Sequence, residues 1–180
     1  MEAARGTVFR FGDNVDTDVI IPARYLATSE PSELAAHCME DIDKTFIQKV
    51  KKGDMIVAGR NFGCGSSREH AAWALKDYRF RVIIAGSYSD IFYMNSLKNG
   101  LLLIELPQEQ RDALAQLPAD ETIQIDLPNQ VVRTNAAEYP FAIDPTWKHK
   151  LENGIDDITE TMAYKDEIDA YEAKWDNIYA

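Results

Sequence analysis

Short apolar runs alternate along the first two thirds of the chain with longer stretches in which apolar residues recur every three or four positions. Residues 6–11 (GTVFRF) alternate in the manner of a short strand, and 54–59 (DMIVAG) form an apolar run bounded by Gly53 and Gly59. Residues 81–86 (RVIIAG) and 101–106 (LLLIEL) are apolar almost throughout, as strands covered on both faces are. Helical segments separate these runs. Residues 68–78 carry Ala71, Ala72, Trp73, Ala74 and Leu75, which predict a largely buried helix. A second helix is expected over 89–100, with Ser89 near its start and Gly100 as its stop. A surface helix over 107–117 opens with Pro107, and another begins near Pro31 and Glu33, where proline suits a first turn. Residues 13–26 (DNVDTDVIIPARYL) begin with turn-forming Asp and Asn, and Pro22 prevents a regular central strand.

The texture then changes. Residues 121–127 and 130–135 read as strands around a Pro128–Asn129 turn, and 139–143 as a third extended piece. Helices over 147–154 and 165–175 close the chain. Strand–helix alternation followed by a β-rich part predicts an α/β fold: one domain over residues 1–180 with a C-terminal helical extension. No repeat, linker or low-complexity tract interrupts it.

Charge narrows the possible partners. With 19 basic and 30 acidic residues the net charge is −11, so the surface repels a phosphate backbone and nucleic acid is not an expected partner. The densest basic stretch, Lys49 to Lys52, runs straight into Gly53 and Asp54 and reads as a solvated helix end. The two cysteines, Cys38 and Cys64, lie in dissimilar contexts, which suits a reducing cytoplasm better than a disulfide-built secreted fold. No run approaches the roughly 18–20 apolar residues that span a bilayer, so no membrane association is expected.

Chemistry concentrates in residues 59–71 (GRNFGCGSSREHA). Gly63 and Gly65 permit a tight turn, and Ser66, Ser67 and Arg68 follow where a helix begins. Free N–H groups at a helix start favour an anion or a serine alkoxide, and Arg68 offers a planar fork matched to a carboxylate. A purely structural reading competes: Ser66 with Glu69 three residues on has the spacing of a capping box. A thiol or serine hydrolase is a further reading, with Cys64 at a lowered pKa and His70 or His37 as base. A dinucleotide loop fits poorly, and a Walker loop fails. Arg68 stands where a third glycine is required, and no Gly-Lys-Ser/Thr follows.

The segment NFGCGSSREHA resembles the serine–arginine motif of the mobile domain of the aconitase superfamily. DNVDTDVIIPARYL resembles the opening of that domain, and IIAGSYSDIFYMNSLKNGLLLIEL is similar to the core of its isopropylmalate dehydratase small subunits. Residues 143–174 look like the tail of the bacterial form, whereas the short loop 23–37 resembles that of archaeal and clostridial-type subunits. Together these segments cover nearly the whole chain, in the family's order.

This resemblance implies a swivelling β/β/α domain and a hydro-lyase subunit that is active only with a large partner. The implied reaction moves a hydroxyl between neighbouring carbons of a small dicarboxylate: 2-isopropylmalate to 3-isopropylmalate through isopropylmaleate, in leucine biosynthesis. A homoaconitase or another small-dicarboxylate hydratase is the nearer alternative, and a non-catalytic anion-binding regulatory domain the more distant one. The resemblance places the family's four-iron four-sulfur cluster on the large subunit, and this chain agrees, since Cys38 and Cys64 alone do not suffice to hold it. By the same resemblance Ser66 corresponds to the catalytic base, Asp18 to an active-site aspartate and Ser67 to a companion of Ser66. Arg68 and Arg24 correspond to carboxylate-binding arginines, and Ala27, Thr28 and Ser29 to the loop that selects the substrate; no metal ligand is expected in this chain.

Overall fold

A computed structural model describes residues 4–175. Two four-stranded sheets carry the architecture. The parallel sheet runs in the order β2 (Val8–Arg10), β3 (Met55–Val57), β4 (Val82–Ala85), β5 (Leu102–Glu105). The antiparallel sheet runs β1 (Ala4–Gly6), β6 (Ile123–Asp126), β7 (Val131–Arg133), β8 (Glu138–Pro140).

Because successive strand residues point to opposite faces, the parallel sheet supplies two cores at once. Met55, Val57, Val82, Ile84, Leu102 and Ile104 face Ile123, Ile125 and Val132 of the antiparallel sheet. Ile56, Ile83 and Leu103 face the helices. On that side pack α1 (Thr17–Ile20), α2 (Pro31–Ala36), α3 (Phe46–Lys49), α4 (Glu69–Asp77) and α5 (Asp90–Lys98), through Ile20, Leu34, Phe46, Leu75 and Phe92. Sheet, sheet and helices thus form three layers, the β/β/α arrangement that the sequence resemblance implied. Each fully buried Ile or Leu contributes roughly 1.5–3 kcal/mol to holding them together.

The expected strand over 6–11 is two strands in different sheets. β1 pairs with β6 and β2 with β3. The chain crosses between sheets at Thr7, whose backbone N–H and hydroxyl both donate to Asp54 Oδ1 at 2.9 Å. The buried Asp54 carboxylate also accepts from Lys51 N at 2.7 Å, so the crossing is fastened to the turn before β3. A Cβ on Gly6 would meet the Gly53 carbonyl oxygen at 2.1 Å, which reserves that position for glycine.

The helix predicted from Pro107 is α6 (Gln108–Ala115), with Pro107 in the cap position rather than in the first turn. α7 (Pro145–Asn153) is capped by Asp144, which accepts from Thr146 N at 2.8 Å, and ends at the left-handed Gly154. α8 (Asp157–Met162), capped by Asp156, was not foreseen. α9 (Lys165–Trp175) fulfils the helix expected there. Ile158, Met162, Tyr164 and Tyr171 of this C-terminal arm stay exposed. No helix among the described residues is long and apolar enough to cross a membrane.

Candidate active site at the serine–arginine loop

The loop between β3 and α4 stands at the C-terminal ends of the parallel strands, where open α/β sheets place their ligands. It is held by the segment before α1, which runs beside it almost as an extra strand. Gly59 N donates to Gly12 O at 3.0 Å, Asn14 N to Arg60 O at 2.8 Å, Gly63 N to Val15 O at 2.8 Å and Thr17 N to Cys64 O at 2.9 Å. Asp16 and Cys64 complete the pairing as a parallel bridge. From the other side, Ser89 Oγ donates to Gly63 O at 2.6 Å and Ser87 Oγ accepts from Asn61 N at 2.9 Å. Ser89 is therefore spent on the loop; it occupies the cap position of α5 without capping it.

The two glycines are dictated by contact as well as by backbone angle. Gly63 has φ +73° and a Cβ there would lie 2.1 Å from the Phe92 ring. Gly65 has φ +89°, and its Cβ would enter the Asp16 carboxylate at 2.3 Å. Only glycine lets the chain turn this closely over Asp16.

Arg111, which sequence reasoning missed, supports the loop from below. It is buried on α6 and donates through Nε to Leu106 O at 3.0 Å and through a terminal nitrogen to Ala58 O at 2.9 Å. Its guanidinium thus ties the ends of β3 and β5 together. An arginine in an amphipathic surface pattern gives no sign of this, because one of its two acceptors, Ala58, lies far away in sequence.

Ser66 and Ser67 follow the turn with exposed side chains. The capping-box expectation is overturned: α4 begins at Glu69, its cap position is Arg68, and no side chain caps it. Ser66 is instead fixed through its main chain, its carbonyl accepting from Thr17 Oγ1 at 2.9 Å. That leaves the Ser66 hydroxyl unclaimed by the helix.

Arg68 is largely covered and pairs directly with the half-exposed Asp18. Asp18 is positioned on α1 by its own N–H, which donates to Asp16 Oδ1 at 2.7 Å. Four of the expected site residues, Asp18, Ser66, Ser67 and Arg68, are therefore assembled by one pair of neighbouring segments. Asp16 and Thr17 complete the scaffold; the Asp-Thr-Asp pattern at a helix start was the available signal for them.

Arg24 is not joined to this group. It lies over the Tyr25 ring at 4.9 Å and pairs with Asp41 at 2.7 Å and with Glu40, so its charge is already balanced. His37 stacks on Tyr25 at 3.7 Å and its Nδ1 lies 2.7 Å from Glu40. Desolvation favours the neutral Glu40, yet bonds from His37, Tyr25 and Arg24 outweigh it and hold the carboxyl at about 2. This network braces the turn that carries Ala27, Thr28 and Ser29. Ala27 and Ser29 are exposed, while Thr28 Oγ1 accepts from Glu30 N at 3.1 Å.

The hydrolase reading loses its chemistry. Partial burial and the adjacent Asp16 push the Cys64 thiol up, not down as the glycine-flanked helix start suggested. His37 is committed to Tyr25 and Glu40, and the His70 ring packs 4.9 Å from Trp73. Cys38 is fully buried, and burial raises its thiol far above the ordinary range. Among the described residues, no group of three or more His, Cys, Asp or Glu side chains is arranged to hold a metal ion. The side chains present do not suit an iron–sulfur cluster.

Residues 24–109 match the family model of the aconitase C-terminal domain. The whole-chain matches are more specific. The 3-isopropylmalate dehydratase small subunits of Oenococcus oeni and Listeria monocytogenes are each 50% identical, over 96% of this chain and 94% and 95% of their own length. This chain belongs to the 3-isopropylmalate dehydratase small-subunit family. The small subunit of Lactococcus lactis is likewise 50% identical, over 90% of this chain and 91% of its own. A crystal structure of the Methanocaldococcus jannaschii 3-isopropylmalate dehydratase superposes with a TM-score of 0.77 at 35% identity, covering 96% of this chain and 98% of that one.

Proposed function

We propose that this chain, acting as one swivelling domain, is the small subunit of a cytoplasmic 3-isopropylmalate dehydratase. It converts 2-isopropylmalate to 3-isopropylmalate through isopropylmaleate. The carrying observation is an exposed Ser66 two residues before Arg68, which pairs with Asp18, in a chain 50% identical to 3-isopropylmalate dehydratase small subunits over 96% of its length.

In this reading Arg68 leaves Asp18 to hold a substrate carboxylate through two parallel N–H bonds. Ser66, as the alkoxide, takes the proton from the carbon next to the departing hydroxyl, and Ser67 supports the anion. Asp18, held on α1 by its bond to Asp16, orders Arg68 until substrate arrives and then stays in the active site as a free carboxylate. A large subunit completes the site and carries the four-iron four-sulfur cluster, whose Lewis acidity eases loss of the hydroxyl. Two dissimilar thiols, one of them in the core, support placing the cluster there. The turn of Ala27, Thr28 and Ser29 faces the substrate's branched substituent, with Ala27 and Ser29 exposed towards it and Thr28 holding the turn. Arg24, balanced by Glu40 and Asp41, reaches a carboxylate only by giving up both partners.

The test is reconstitution with the cluster-bearing large subunit. The pair is expected to turn over 2-isopropylmalate in preference to homoaconitate and small unsaturated dicarboxylates, while each subunit alone is inactive. A pair that forms but prefers another dicarboxylate moves the assignment within the superfamily. A chain that recruits no such partner has only an anion-binding role.

A further inference from the structure

At the other end of the parallel sheet from the serine loop lies an open cavity of about 740 Å³. Its lining comes from residues that precede the strands: Lys52 and Gly53 before β3, Arg81 before β4 and Gly100 before β5. Three helices also end there, bringing Lys76 from α4, Lys98 from α5 and Lys150 from α7. With Arg5 of β1, six cationic side chains meet a single lining carboxylate, Asp156. In a chain of net charge −11 this is a local reversal of sign.

Structural roles account for part of it. A helix C-terminus carries about half a negative charge, which a lysine in the last turn offsets. Lys150 is held by Asp157 at 2.8 Å and Glu160 at 2.7 Å, and Arg5 Nε donates to Thr122. Lys76 and Lys98 offset the ends of α4 and α5 in part, each retaining about half its charge, and Lys52 and Arg81 have no such role; none of the four forms a carboxylate ion pair within 4 Å among the described residues. Asp77 senses Lys76 and Arg81, and Asp157 senses Lys98, without a direct ion pair. Leu97, Leu151 and Ile155 give the same cavity an apolar wall.

We propose that this cavity binds a small anion bearing two or more phosphates, of the nucleoside diphosphate class. Lys52, Lys76, Arg81 and Lys98 take the phosphates, and the apolar wall takes the organic moiety. A cavity of this volume suits a small ligand. The net charge of −11 on the chain disfavours a long polyanion, whose charges would extend beyond the cations. Several cations spread over the cavity favour a multiply charged group over a single phosphate.

Calorimetric titration of the full-length chain with ADP, pyrophosphate, inorganic phosphate and adenosine tests this. ADP is expected to bind one saturable site, pyrophosphate comparably, and inorganic phosphate about tenfold more weakly or worse, with affinity falling as salt rises. Adenosine should show no binding. Lys52→Glu with Arg81→Glu, both at exposed positions, should weaken ADP at least about tenfold while circular dichroism stays unchanged. Lys165→Glu with Lys174→Glu on the exposed α9 changes net charge equally and should leave ADP within about twofold. Amide resonances of Gly53, Asn99 and Gly100 should shift with ADP while those of Ser66 to Glu69 do not.

No saturable ADP binding at millimolar concentration overturns the proposal, as does equal loss in the two double variants. Adenosine binding as tightly as ADP, or resonance shifts confined to Ser66 to Glu69, overturns it too. None of these outcomes depends on whether the reconstituted pair acts on isopropylmalate.

Discussion

Arg68 and Asp18 are fifty positions apart in sequence and form a direct ion pair at the mouth of the serine loop. The pair holds the guanidinium in place in the free chain, and a substrate carboxylate must displace or share it. Asp18 is half exposed, so the pair contributes no more than about 1 kcal/mol to stability. Arg68→Lys keeps the charge but loses the planar fork, leaving one carboxylate oxygen poorly compensated at roughly 1–3 kcal/mol. In the reconstituted enzyme we expect a higher KM and lower kcat with unchanged subunit affinity. Steady-state kinetics and a partner titration on one preparation check this; near-normal kinetics would remove Arg68 from the substrate site.

Ser66→Ala separates chemistry from folding more cleanly than the sequence suggested. A capping serine would cost about 1 kcal/mol on removal. The structure gives Ser66 no capping role: its side chain is exposed, and only its main-chain carbonyl is engaged, by Thr17. Stability should therefore move by less than about 0.5 kcal/mol. Turnover of the reconstituted enzyme should fall by roughly 100-fold or more, as for removal of a positioned base. Urea unfolding and the isomerisation assay give the two readings, and retained activity would exclude the base assignment.

What was legible in the sequence follows from where each partner lies. The apolar runs at β3, β4 and β5 and the alanine-rich α4 announce themselves, because burial on both faces is written in consecutive residues. The split of residues 6–11 was not legible. An unbroken alternation changes sheet at Thr7 only because Asp54, far along the chain, takes both of its donors. The Ser66–Glu69 spacing misled for a related reason: Thr17 claims the Ser66 carbonyl, and the helix starts later than its spacing implied. The clustering of Asp18 with Ser66 and Arg68 came from the family resemblance, whereas the cationic cavity had no local signal at all. Its six cations come from separate places between Arg5 and Lys150, and the basic stretch that ends at Lys52 reads by itself as a solvated helix end.

Gly65 should tolerate no side chain. Gly65→Ala places a methyl against the Asp16 carboxylate at a backbone angle of +89°. Strain of this kind costs about 1–3 kcal/mol. A drop of that size in urea-unfolding free energy, with the loss recovered in part by Asp16→Ala in the same chain, is the expected result. Additive losses would mean that the two residues do not touch.

Acid should destabilise the fold in a defined window. Bonds from the Asn129 side chain and N–H, aided by Arg133 against some desolvation, hold Asp126 at about 2, below its usual 3.8. A carboxylate lowered on folding stabilises the fold above its unfolded value and loses that contribution as pH falls through the folded one. The Asp126 contribution is thus present above about pH 4 and lost towards pH 2. Asp126→Asn should lower the urea midpoint at pH 5, with the difference from wild type closing by pH 2. A difference that stays constant across that range would show that Asp126 stabilises by packing or neutral bonds alone.

In the turn that carries Ala27, Thr28 and Ser29, two side chains are exposed and one holds the turn. Thr28 accepts from Glu30 N, whereas Ala27 and Ser29 are exposed and free to meet a ligand. Small side chains at the exposed positions leave room for a branched apolar group, so the substrate assignment predicts asymmetry within the turn. Ala27→Leu or Ser29→Arg should lower kcat/KM for 2-isopropylmalate relative to other hydroxy dicarboxylates. The hydrophobic part of that change is roughly 1–3 kcal/mol per methylene-sized step. Thr28→Val instead loses one hydrogen bond, about 1 kcal/mol, and should weaken all substrates alike by loosening the turn. The brace behind it, Tyr25 on His37 and Arg24 on Glu40 and Asp41, is untouched by these changes, so misfolding does not explain a selective effect. Ratios of kcat/KM measured with competing substrates on the reconstituted enzyme decide the matter. Unchanged ratios for both Ala27→Leu and Ser29→Arg would mean that this turn does not face the substrate.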